Sequence, residues 1–129
     1  LVNSYNSNPP TSGDHWPVPV LDGVYDMSQP DEGLVHSLEH GRIWISYKSS
    51  IPESAKAALR RIGKSEQKII VTVRDTNDSE IAVAAWQRLD TFNLGDGGLV
   101  DEKRIRDFIE RYRDHAPEKN ISAMVGKVY

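Results

Sequence analysis

Apolar residues in this chain fall in short blocks, and the spacing within each block predicts its element. Ile43 to Tyr47 is a β-branched and aromatic run, and Lys68 to Arg74 encloses Ile69-Ile70-Val71-Thr72-Val73. Both read as buried strands. A further strand is predicted over Ile81 to Leu89, although its alanines also suit a helix, with Thr76-Asn77-Asp78 as the intervening turn. Elsewhere the apolar period is helical. Ala55, Ala58, Leu59 and Ile62 share one face of a helix that Pro52 opens in its first turn, and Gly63 marks that helix's end. Ile105, Phe108, Ile109 and Tyr112 share another face, with Asp101 as cap and Pro117 as stop. A shorter helix is predicted from a cap at Asp31 through His40, closed by Gly41.

The first thirty residues are rich in Asn, Ser, Pro, Gly and Asp, and Pro9, Pro10, Pro17, Pro19 and Pro30 exclude a regular helix. Interleaved Tyr5, Trp16, Val20 and Tyr25 predict an ordered, extended segment over residues 1–30 that wraps the domain. Residues 118–129 read as a tail. The expected architecture is one α+β domain over 1–129, with a three- or four-stranded sheet against two main helices. The strand–helix–strand–strand–helix order allows a thioredoxin-like arrangement.

A chain of 129 residues supports one hydrophobic core. Sixteen basic and nineteen acidic residues give a net charge of -3 without a basic block, so nucleic acid is not an expected partner. No apolar run is long enough to span a bilayer. The absence of cysteine removes disulfides, thiolate ligands and Cys nucleophiles. Leu1 in place of Met predicts a processed or truncated product, which leaves room for a signal peptide or anchor upstream.

The chemistry concentrates in His36-Ser37-Leu38-Glu39-His40. Two histidines four positions apart lie on one helical face, where their imidazoles can share a metal ion. His15, in a proline-stiffened loop, is the expected third ligand, ahead of His115 beyond the last helix. A metal-free account stands beside this: histidines at a helix C-terminus also favour the dipole and bond terminal carbonyls, and Glu39 can bond Arg42. The same residues spell H-x-x-E-H, an inverted zinc-peptidase signature in which Glu39 activates water. The short helix and small chain argue against a complete peptidase. Leu94 to Gly98 lacks the lysine and strand-to-helix context of a phosphate loop. Asn77-Asp78-Ser79 and Asn120-Ile121-Ser122 read as glycosylation acceptors.

Tyr5 through His15, Gly23-Val24-Tyr25-Asp26, Leu34 through Gly41, Ala85-Trp86, Ile105 through Ile109 and Ala116-Pro117-Glu118 together resemble domain-of-unknown-function family 3105, over nearly the whole chain. The family pattern carries proline where this chain has Asp14. The resemblance implies an extracytoplasmic domain, periplasmic or at the cell surface, often behind an N-terminal anchor, and it marks His15, His36, Glu39 and His40 as the functional cluster. Copper is then the expected ion and zinc its alternative, since nitrogen sites prefer divalent copper and copper is most often handled outside the cytoplasm. Met27 and Met124 could add a thioether, though methionine more often packs. The expected function is copper or zinc carriage or storage, with a metalloprotein or membrane protein as possible partner. The alternatives are a zinc-dependent hydrolase with Glu39 as general base and a metal-free interaction module.

Overall fold

Alternate side chains of β2 (Ile43–Tyr47) enter two different cores, and this divides the molecule into layers. The computed structural model describes residues 6–13 and 18–117. The expectations for residues 1–5, 14–17 and 118–129, among them His15 and Met124, lie outside the described residues.

Ile43, Ile45 and Tyr47 point to one face of the sheet, with Ile69 and Val71 of β3 (Ile69–Val73) and Ile81, Val83 and Ala85 of β4 (Ile81–Ala85). Two helices cover that face. α2 (Glu53–Ser65) supplies Ala55, Leu59 and Ile62, and α3 (Glu102–Tyr112) supplies Ile105, Phe108 and Ile109. The other face carries Trp44, Ile70 and Ala84, covered by Leu34 and Leu38 of α1 (Asp31–Glu39) and by Val20. Period-two strands and period-3.6 helices produce this sorting directly.

Among the described residues the fold is α+β, with three α-helices and a mixed five-stranded sheet in the order β1-β3-β2-β4-β5. β3 runs parallel to β2 and to β1 (Gly23–Val24); β4 runs antiparallel to β2 and to β5 (Arg88–Phe92). The sheet therefore exceeds the three or four strands expected from sequence, and α1 is a third helix on its own face. β1 is a two-residue strand inside the proline-rich segment. The predicted strand over Ile81 to Leu89 is two strands, because Gln87 takes φ of 60° and turns the chain back after Ala85.

Three boundary readings are corrected. Asp31 does not cap α1; Pro30 holds the cap position, and the Asp31 carboxylate accepts from Arg74 Nε and Nη2 at 3.0 and 2.8 Å. Pro52 stands before α2 rather than in its first turn. Gly63 does not end α2, which runs to Ser65. A Cβ on Gly63 would lie 2.6 Å from Val71 Cγ2 and 2.9 Å from Val24 Cγ2, so glycine here lets the helix approach the sheet. The Asp101 cap is present, its side chain accepting from Arg104 N at 3.1 Å.

Residues 6–13 fold on themselves and dock. Asn6 Oδ1 accepts from Thr11 N and Ser12 N, Gln87 N donates to Thr11 O at 3.0 Å, and Asn8 Nδ2 donates to Thr76 O at 2.8 Å. Arg74 Nη1 donates to Asn8 Oδ1 and Asn77 Oδ1. Asn77 is 3% exposed and gives its Nδ2 to Ser46 Oγ at 3.0 Å, which removes it as an accessible glycosylation acceptor.

Candidate metal centre

α1 positions the site. Its inner stripe, Leu34, Val35 and Leu38, is fully buried, which turns His36 and His40 onto a partly exposed flank. Buried Ser37 locks the helix rotation, its Oγ donating to Val20 O at 2.7 Å and Gly33 O at 3.1 Å. The helix then ends sharply. His40 N donates to Ser37 O, Gly41 N to Leu38 O, and Gly41 takes φ of 86°.

The four-residue spacing brings the two imidazoles together edge to face, with ring centroids 4.6 Å apart and planes at 73°. Their Nε2 atoms are 3.0 Å apart. As neutral rings they share one hydrogen bond, one nitrogen donating and the other accepting. The Glu39 carboxylate joins them, and the potential ligand atoms of the three residues lie within 4.8 Å of one another. His40 Nδ1 is shielded from solvent. The helix C-terminus adds partial negative charge, which favours a cation there.

Behind the histidines stands a pair absent from the sequence reading. Arg42 is fully buried, and its Nε and Nη2 donate to the two oxygens of buried Asp22 at 3.0 and 3.2 Å. Its Nη1 donates to the His40 carbonyl at 3.2 Å. Burial pushes the Asp22 carboxyl above its ordinary range, with Arg42 partly offsetting the effect. Arg42, offered to Glu39 in the metal-free account, is engaged instead by Asp22 and the His40 backbone. In the sequence Arg42 stands only as an arginine leading into an apolar strand, with Glu39 its nearest acidic neighbour.

Among the described residues, His36, Glu39 and His40 alone form a group able to share an ion. His115 is not in it; its side chain is exposed and its backbone N–H bonds Tyr112 O. Met27 is 61% exposed rather than packed. Among the described residues no helix is long and apolar enough to cross a membrane.

The family model described as "Protein of unknown function (DUF3105)" matches residues 2–124, and the chain belongs to that family. No significant match was found among curated proteins or among solved structures.

Proposed function

We propose that the protein is an extracytoplasmic metal-binding domain that carries or stores copper, with zinc as the alternative ion, through His36, His40 and His15. The observation that carries this reading is the 3.0 Å separation of the His36 and His40 Nε2 atoms. With metal–nitrogen bonds of about 2.05 Å, two nitrogens on one ion stand about 2.9 Å apart at a right angle and about 3.4 Å apart at the tetrahedral angle. The pair stands near both spacings, so one ion can bridge it, and copper is placed ahead of zinc by the affinity order for nitrogen ligands. Glu39 fits beside the pair as a further ligand or as the group that orients an imidazole.

The anchoring of Val20 supports His15 as third ligand. Val20 N donates to Gly33 O at 3.2 Å and Val20 O accepts from Ser37 Oγ at 2.7 Å, so the chain five residues after His15 is tied to α1 beside His36. Five extended residues span ~17 Å, which leaves the site within reach. The sheet order and the helices on both faces support a thioredoxin-like reading of the fold. With no cysteine in the chain, that fold brings no dithiol chemistry.

The test is elemental analysis after loading with copper and zinc and desalting. Wild type keeps about one equivalent of copper and the His36→Ala, His40→Ala double variant none, as expected when two of three ligands are lost. Equal retention by both proteins overturns the reading. Hydrolysis by the zinc-loaded protein that Glu39→Gln stops, with metal kept, would move the assignment to a hydrolase.

A further inference from the structure

Arg42 has no exposed surface and Asp22 only 3%, yet the two form a bidentate ion pair inside the domain. Such a pair is a poor source of stability, because removing two charges from water offsets their attraction and well-packed apolar side chains do as well. The raised Asp22 carboxyl agrees, since its burial outweighs the help from Arg42. What the pair supplies is direction. A guanidinium is planar, so two nitrogens held by one carboxylate fix where the third points. That third nitrogen meets the His40 carbonyl.

The other end of the link is firm. Asp22 directly precedes β1, whose Gly23 pairs with Ile70, and Tyr25 N donates to Val71 O at 2.8 Å. Arg42 directly precedes β2, with its own N–H on Ser37 O at 3.3 Å. The His40 turn is therefore tied to two separate strands through one buried side chain. Of the ion pairs among the described residues, this is the most deeply buried.

We infer that Asp22 and Arg42 are positioning residues for the histidine pair: by gripping the His40 carbonyl they hold the two Nε2 atoms 3.0 Å apart before an ion arrives. The purpose of this grip rests on the metal-binding reading, but the grip itself is a property of the metal-free protein. Preorganised ligands lose less freedom on binding, and residues supporting metal ligands typically change affinity about 10- to 100-fold when removed.

The experiment compares wild type with Arg42→Lys and with the double variant Asp22→Leu, Arg42→Met. Lysine keeps the charge but cannot bridge Asp22 and the carbonyl; the apolar pair keeps volume and leaves no buried charge alone. Folding is followed by circular dichroism, and the metal-free His36 and His40 rings by imidazole ¹H–¹⁵N spectra. Copper affinity is measured separately. Both variants should fold, show displaced His40 ring resonances and bind copper about 10-fold or more weakly. Folded variants with wild-type ring spectra overturn the inference, as does unfolding of both, which would make the pair a stability element. If wild type binds no copper, the metal reading fails while the ring spectra still decide the positioning role.

Discussion

The backbone N–H of Asp114 donates to the carbonyl of Gly41 at 2.9 Å, fastening the chain just beyond α3 to the turn that carries His40. A Cβ on Gly41 would lie 2.8 Å from Asp114 Cα, and its φ of 86° belongs to the region that favours glycine. Gly41→Ala is expected to lose about 2 kcal/mol or more, from the left-handed backbone and the displaced α3 end together. Urea unfolding measures the loss, and weaker copper retention at native conditions should accompany it.

Gly63 provides an independent check on β1. Alanine there meets the Val71 and Val24 methyls, and overpacking of this kind costs about 1–3 kcal/mol. Adding Val71→Ala should return part of that loss, so a double-mutant cycle should show coupling between positions 63 and 71. Strict additivity would be at odds with the close approach of α2 to β3.

Asp75 governs part of the acid response. Its Oδ1 accepts from Ser49 N at 2.6 Å and its Oδ2 from Ser49 Oγ at 3.0 Å, and these bonds hold its carboxyl below the ordinary value of 3.8. A carboxyl lowered in the folded state stabilises above its unfolded value and loses that contribution as pH falls through the folded one. The stability gap between wild type and Asp75→Ala should be present at neutral pH and close at the acid end of that window. Denaturant midpoints across pH test the sign.

Removing the buried hydroxyl in Ser37→Ala should cost about 1–2 kcal/mol, since Val20 O and Gly33 O both lose its proton. Under the proposed ligation it should also weaken copper binding through the segment leading back to His15. His15→Ala should then cost less affinity in the Ser37→Ala background than in wild type if both act through that segment. Competition titrations on the single and double variants read this out.

Sequence periodicity exposed the elements with large apolar faces. β2 and β3 are buried β-branched runs, while α2 and α3 each have one apolar stripe, and all four were legible for that reason. β1 was not, because two residues in a proline-rich segment carry no period and their pairing is set by β3. β5 was hidden differently: Arg88-Leu89-Asp90-Thr91-Phe92 is an edge strand, mostly exposed, whose charges suit an unpaired edge but blur the pattern. Gly63 was misread because a glycine that admits a neighbouring strand looks the same in sequence as one that ends a helix. The His36–Glu39–His40 cluster was visible, since one helical turn creates it. The Asp22–Arg42 pair spans twenty positions and depends on tertiary folding, so local spacing carried no trace of it.

The central claim is that one ion binds between His36 and His40, and electron paramagnetic resonance of the copper-loaded protein addresses it most directly. With ¹⁵N-labelled histidine, a tetragonal signal coupled to at least two imidazole nitrogens is predicted, and it should disappear in the His36→Ala, His40→Ala variant. An aquo-copper spectrum in wild type, or an unchanged nitrogen pattern in the variant, would contradict the account.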